Sequence, residues 1–593
     1  MLTNILTKEY NTLWYFNSRA DYEIYFNRIG ANDLVLTLDF GLLNLLKLSN
    51  VDACYIDKLI SPEESYDFNI KISEYLNSWY FDDSCENNLL LFDGINVGEA
   101  LKLNYYTDIV FNTHIFVNLL KIKSAKYKYI YICENALIEN VANFLDIKYK
   151  KLPKTDNLTK PVYFFDIHNW MYEKINKTSL RNRLINICFF IIDQFNFVVD
   201  FLSNSSKKYI YVQKYFPTIQ LIRNLDKFTI IVDSYSSITN AFNERRVVYK
   251  NIDRSNFEIE NTFPQYFQSD GKKFVIEGVD ISPLLKSIIN KTIHKNLALA
   301  INNIISTKNY LKDKNLVLSV YVTDLWLKNS IIVQFSKINK VPIYFILNGL
   351  LNTDYYFDGK FADYINCYSE SIKKNIFKSI DNVFPIGDPR LDKYNLSINK
   401  KRELNSKTLN IGIGAAAYNN TDVGSFLAYE FEYLNDVLTS ISNFKDLEIV
   451  IYVKSRANNY TSLYHNFISE YYSHLNVIIV TESSFAEFIR KIDLYITFYS
   501  QTLFESSLNN VPCIYFNNVK EYRHEPFDFK STLKSASNVY ELNQLIQEYL
   551  KEGNFGWEFS ARSNLEYFIG KFDNSNLQRN LNFINDIISQ KKN

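Results

Sequence analysis

Between Thr497 and Glu505 the chain reads TFYSQTLFE, a polar turn that joins a buried strand to a helix and is followed by a carboxylate. A helix beginning near Thr502 turns its unbonded backbone N–H groups and its positive dipole end towards whatever lies beyond the strand, an arrangement suited to a phosphate. Ser500, Gln501 and Thr502 are therefore candidate phosphate ligands, with Lys454 and Arg456 of LEIVIYVKSR as charge partners. Glu505, one turn into that helix, has the reach to bond a ribose or sugar hydroxyl, and Glu482 ends another strand of the same region. Gly412 and Gly414 in LNIGIGAAAY omit side chains where a phosphate or sugar would approach the backbone. The bland alternatives are a helix cap, a solvated carboxylate and a tight turn.

Group transfer also needs a base, and carboxylates at strand ends are the natural candidates. Asp324, after LVLSVYVT, and Asp233, after FTIIV, are the two catalytic candidates, with Asp39 third. A carboxylate placed like Asp233 could instead act as a nucleophile in a double displacement. Each has a turn or cap as its bland alternative. None of the six histidines forms a ligand spacing with another, so no metal site and no resident cofactor is expected. His524, in EYRHEPFDF, is a surface-loop histidine or a contact to a nucleotide.

These residues need strands and helices to place them. LVLTLDFGLLNLLKL, YKYIYICENALIENVANFL, FTIIVDSYSSITNAF and LVLSVYVTDLWLKNSIIVQFSK each run from an apolar strand into an amphipathic helix, and the alternation restarts at Leu409. Such alternation predicts an α/β protein with largely parallel sheets covered on both faces. The expected division is residues 1–392 as one Rossmann-like domain with a helical insertion near 178–205, a polar linker at 393–407, a second Rossmann-like domain at 408–570, and a C-terminal helix at 571–593. Ligands of open parallel sheets sit beyond the carboxyl ends of the strands. Two such rims facing each other would enclose a cleft.

At 593 residues, 47% hydrophobic and 22% charged, the chain is an ordinary globular sequence too long for one core. Its 65 basic and 65 acidic side chains cancel, which disfavours nucleic acid as a partner. Six scattered cysteines and the absence of a signal-peptide pattern at the N-terminus point to a reduced, cytoplasmic setting. Leu184 to Leu202, LINICFFIIDQFNFVVDFL, lies between Arg181 and Arg183 on one side and Lys207 and Lys208 on the other. It reads as a buried helix or as one lying on the inner membrane face, with a true membrane span as the remaining alternative.

Three blocks together resemble the GT-B superfamily of glycosyltransferases and the related non-hydrolysing nucleotide-sugar 2-epimerases: Val320 to Leu350, FPIGDPRLDKY at Phe384 to Tyr394, and Thr481 to Phe516. INVGEAL at Ile95 to Leu101 is similar to a segment of bacterial surface-polysaccharide transferases. The resemblance implies two Rossmann-like domains, a nucleotide-sugar donor held by the C-terminal one, a glycan or lipid-linked glycan acceptor, and metal-independent transfer. It aligns Asp324 with an acidic position of the N-terminal domain. Glycerophosphate and Kdo transferases of this kind carry His-Pro where this chain has Lys454-Ser455-Arg456, and the epimerases a histidine, which argues against epimerisation. The alternatives are a CDP-polyol phosphotransferase, a nucleotide-sugar 2-epimerase, and a non-catalytic glycan-binding or scaffold module.

Overall fold

The computed structural model describes residues 8–153, 180–202, 207–235, 237–249, 258–348, 359–377, 381–393, 408–414, 429–455, 461–481, 484–498, 500–518, 533–555 and 562–590. Tyr10–Phe16 (β1), Leu34–Thr37 (β2), Ala53–Tyr55 (β3), Tyr127–Cys133 (β4) and Lys150–Leu152 (β5) form a five-stranded sheet ordered β3-β2-β1-β4-β5. Lys208–Val212 (β6), Thr229–Val232 (β7), Glu244–Arg246 (β8), Asn315–Tyr321 (β9), Ile343–Ile346 (β10), Tyr364–Asn366 (β11) and Val383–Phe384 (β12) form a seven-stranded one, β8-β7-β6-β9-β10-β11-β12. Thr408–Gly414 (β13), Glu448–Lys454 (β14), Asn476–Val480 (β15), Leu494–Thr497 (β16), Cys513–Phe516 (β17) and Lys534–Ala536 (β18) form a six-stranded one, β15-β14-β13-β16-β17-β18. Pairing is parallel throughout, as in the ladders Leu13↔Leu34, Val320↔Tyr344 and Gly414↔Thr497. The doubly wound α/β class expected from the alternation is the one observed, and the same winding, 3-2-1-4-5, occurs three times.

The grouping of the sheets departs from the expected domain boundaries. One compact unit comprises Met1–Ile72, Thr107–Trp170 and Leu396–Ser560, and the other Ser73–Tyr106, Met171–Asn395 and Ala561–Asn593. Residues 1–392 therefore carry two doubly wound sheets rather than one, and the five-stranded sheet belongs with the six-stranded one. The helix Arg562–Ile569, expected with the donor domain, belongs to the second unit. Alternation of strand and helix specifies what each segment is and not which strands pair, so the third sheet is invisible to it. The expected linker at 393–407 lies almost wholly outside the described residues.

In the first unit the two sheets meet through aromatic side chains. Phe40 opens the helix Phe40–Leu48 behind β2, and its ring meets Phe467 at 5.5 Å, Tyr471 at 6.1 Å and Phe431 at 6.5 Å, all from helices of the six-stranded half. Lys58 bridges to Glu432 at 2.8 Å beside them. Asp39 is buried as the cap of the Phe40–Leu48 helix, accepting the Leu42 N–H at 2.7 Å, so the third candidate base is spent on a helix end.

In the second unit the C-terminal helix Asn576–Gln590 adds Ile584, Ile587 and Ile588 to the core under the seven-stranded sheet. The segment Gly387-Asp388-Pro389-Arg390-Leu391-Asp392 anchors it. Asp392 accepts the N–H groups of Asn576 and Leu577 at 3.0 and 2.8 Å, and the Gly387 carbonyl accepts from Asn366 and Asn580 at 2.8 and 3.1 Å. Arg390 Nε grips both oxygens of buried Asp388 at 3.1 and 2.9 Å. Gly387 is required here, because its φ is +107° and a Cβ would overlap Asn576 Oδ1. The block is thus a fastening between strand β12 and the last helix.

Among the described residues no helix is long and apolar enough to cross a membrane. The helix Leu180–Leu202 belongs to the second unit.

Candidate functional sites

In the six-stranded sheet the strand order reverses between β13 and β16, and the crevice beyond their carboxyl ends is where such sheets bind ligands. One row of the ladder crosses that edge: Lys454, the last residue of β14, pairs with Gly414, the last of β13, which pairs with Thr497, the last of β16. Three candidate segments separated in sequence are therefore neighbours at the switch point. Lys454 Nζ donates to the Thr481 carbonyl at 3.3 Å, and partial burial holds its ammonium below the usual lysine range. A cation so placed is held at the rim and already partly desolvated.

The turn after β16 is ordered by a chain of hydroxyls. Buried Tyr495 bonds Thr502 Oγ1 at 2.8 Å, and Thr502 donates to Ser500 Oγ at 2.9 Å, which also accepts the Thr502 N–H at 3.2 Å. With the Tyr495 proton spent on Thr502, and the Thr502 proton on Ser500, the Ser500 O–H ends the chain as a donor. Burial pushes the Tyr495 phenol up to about 12, so it stays protonated. Gln501 is half-buried at the N-cap position without a side-chain cap bond, and Glu505 is half-buried in the first turn of the helix Thr502–Leu508.

The two glycines do different work from that expected. A Cβ on Gly412 would overlap Ile492 Cδ1 and lie 3.0 Å from Phe488 Cζ, so its missing side chain admits the neighbouring helix and not a ligand. A Cβ on Gly414 would overlap Thr497 Oγ1 and Tyr495 Oη, the start of the hydroxyl chain. Gly414 thus shapes the rim by letting Tyr495 close under it. Arg456, Glu482 and His524 lie outside the described residues.

In the seven-stranded sheet the order reverses between β6 and β9. Buried Gln213, just after β6, accepts the N–H groups of Val322 and Thr323 at 2.7 and 2.9 Å and so fixes the loop that presents Asp324 at this second switch point. Asp324 is 5% exposed. Its Oδ1 accepts the Gly359 N–H at 3.4 Å, and its Oδ2 has no hydrogen-bond partner among the described residues. Burial raises its carboxyl above the ordinary range against the pull of Lys102 and Lys360, and Glu99 adds to the rise.

Around Asp324 stands a cluster that residue-type reasoning did not nominate. Glu99 is 3% exposed; its Oε2 accepts from Tyr80 Oη at 2.6 Å and pairs with Lys360 Nζ, while its Oε1 accepts from Lys102 Nζ at 3.0 Å. Burial alone would raise Glu99, but Lys102, Lys360 and the Tyr80 hydroxyl outweigh it and hold its carboxyl below the ordinary range. Lys102 also donates to Asn77 Oδ1 at 3.0 Å. The signal in the sequence was INVGEAL itself: Gly98 lies against Tyr80, where a Cβ would overlap the ring, and the next residue is Glu99. Two carboxylates and two ammonium groups share one buried site, one carboxylate fully bonded and ionised and the other under-bonded and more basic, which suits a general base beside a fixed anion.

Asp233 stands apart from this cluster. Its Oδ1 accepts the Lys214 N–H at 2.8 Å, and burial raises its carboxyl against that bond and the Lys214 charge. Nearby Lys328 lies 4.1 Å above the Tyr249 ring. The arrangement is that of a strand-end turn, and Asp324 is the better-supplied of the two catalytic candidates.

No protein-family model matches the chain, and no curated protein matches it. Among solved structures it is similar to the S. aureus MnaA–UDP co-structure, at 13% identity over 65% of this chain and 97% of that one, with a TM-score of 0.42. It is similar also to MurG from Acinetobacter baumannii, at 10% identity over 64% of this chain and 99% of that one, with a TM-score of 0.38. A third is the wall teichoic acid polymerase TagF, at 12% identity over 72% of this chain and 100% of that one, with a TM-score of 0.34. At this identity and TM-score the likenesses assign no activity to the chain.

Proposed function

We infer that the chain is a glycosyltransferase that moves a sugar from a nucleotide-activated donor to a bacterial surface glycan or glycolipid. The observation that supports this most is the row Lys454, Gly414, Thr497 at the switch point of a sheet wound 3-2-1-4-5-6, with the Ser500 hydroxyl ending a bond chain beside it. In this reading the donor's phosphates are held by Lys454, Ser500 and the backbone of the Gln501–Thr502 turn, and Glu505 takes a hydroxyl of the ribose or sugar. The acceptor oxygen attacks the anomeric carbon, the bond from that carbon to the nucleotide phosphate breaks, and the phosphate leaves with the electron pair. Asp324, as carboxylate, receives the acceptor proton, and Glu99 holds Lys102 and Lys360 in place beside it. Asp233 is the reserve candidate, as base or nucleophile.

The test is incubation of the full chain with UDP-, GDP- and CMP-sugars and with CDP-glycerol, reading free nucleotide and sugar separately. Release of nucleotide from one sugar donor, lost in Asp324→Asn while donor binding is kept, supports the reading. Interconversion of the sugar without release would make the chain an epimerase, turnover of CDP-glycerol alone a polyol phosphotransferase, and neither turnover nor binding a glycan-binding or scaffold module.

A further inference from the structure

The helix Leu180–Leu202 is amphipathic in the inverted sense. Its inward face is anchored by polar groups: Asp193 accepts from Tyr235 Oη at 2.6 Å and pairs with Arg246, while Asn196 donates to the carbonyls of Ala241 and Glu244 at 2.9 and 3.1 Å. Leu184, Ile187, Phe190, Ile191, Phe195 and Val198 point the other way, each more than half exposed, and Phe197 is 71% exposed. Phe242, itself 49% exposed, meets the Phe195 ring at 5.9 Å and widens the patch. Bulky apolar side chains turned to solvent over so long a surface are unusual on a protein that works alone in water.

Two features select what covers this face. At about 100° per residue the exposed apolar positions sweep roughly half the helix circumference, far wider than the narrow seam of a coiled-coil partner. Basic residues stand at both ends, Arg181 and Arg183 at the start of the helix and Lys207 and Lys208 after it. Asp193 and Asp200 within the helix, and a hydropathy too low to span, leave it lying in the plane of an interface. We propose that the apolar face of Leu180–Leu202 docks on an anionic lipid bilayer, with the basic ends at the headgroups. This surface belongs to the second unit and does not depend on the glycosyltransferase reading.

Co-sedimentation of the full chain with vesicles of phosphatidylcholine alone, or mixed with phosphatidylglycerol, tests it. The wild type is expected in the pellet with the anionic vesicles, with partitioning that falls as salt rises. The triple variant Ile187→Gln, Phe190→Gln, Ile191→Gln should reduce partitioning by about tenfold or more with its circular dichroism and melting unchanged. The double variant Lys207→Gln, Lys208→Gln should lose the preference for anionic over neutral vesicles. Equal partitioning of wild type and triple variant would overturn the proposal. So would a wild type that ignores both vesicles, including one whose sedimentation velocity shows a dimer that the triple variant converts to monomer.

Discussion

Gly414→Ala offers a quantitative check on how the rim at the switch point of the six-stranded sheet is built. The added Cβ would overlap Thr497 Oγ1 and Tyr495 Oη and lie 2.8 Å from Thr497 Cβ, and both neighbours are 2% exposed, so neither can swing into water. Overpacking of a buried site costs about 1–3 kcal/mol. Pushing the Tyr495 hydroxyl off Thr502 leaves a buried O–H unbonded, a further cost of about 1–3 kcal/mol. The expected loss is thus about 2–6 kcal/mol, centred on strands Thr408–Gly414 and Leu494–Thr497. Tyr495→Phe removes the hydroxyl and part of the overlap together. Alone it should cost about 1 kcal/mol, and in its presence Gly414→Ala should cost about 1–2 kcal/mol less than in the wild type. Two compact units make a single global transition a poor measure, so the assay is hydrogen exchange of peptides covering those two strands. Wild-type protection in Gly414→Ala, or an undiminished cost in the Tyr495→Phe background, would refute the reasoning.

Three further outcomes follow from the geometry. Asp392→Ala removes the carboxylate that caps Asn576–Gln590 and should destabilise that helix by about 1–2 kcal/mol, seen as faster exchange or proteolysis confined to the C-terminal residues. Phe40→Ala empties the aromatic contact between the five- and six-stranded sheets and should cost about 3–5 kcal/mol in the first unit, measured by exchange of β1 and β13. In the proposed reaction Asp324 acts as a carboxylate, and its raised pKa predicts that activity is lost, as pH falls, at a higher pH than for an ordinary aspartate. Lys360→Met removes a cation that lowers that pKa and should move the acid limb of the rate profile up, whereas Glu99→Gln removes a like charge and should move it down. A limb unmoved by both would exclude Asp324 as the titrating group.

The elements of this fold were legible because each strand is an apolar run followed by a helical period, and the helix after Ser500 begins where the sequence placed it. What failed was the pairing. β1 and β6 are both buried apolar strands, and nothing local tells a reader that they lie in different sheets, since pairing is fixed by packing such as Phe40 on Phe467 across several hundred residues. The geometry of the candidate rim was partly legible for the same reason. Lys454, Gly414 and Ser500 follow strands and could be found, but Gly412 looks identical in sequence to Gly414 although it meets Ile492 instead of the rim. Glu99 and Lys360 gather around Asp324 from distant segments, and only the fold brings their charges to one point.

In the proposed function the rim formed by Lys454, Gly414 and the turn after Thr497 binds the phosphates of a nucleotide. Isothermal titration of the full chain with UDP, GDP, CDP and CMP, beside Lys454→Met, tests it most directly. One of the four is expected to bind the wild type, and Lys454→Met to weaken it by about tenfold or more, the loss of a charge-assisted bond. If none binds at millimolar concentration, or one binds equally to the variant, the phosphate site is not where the switch point puts it.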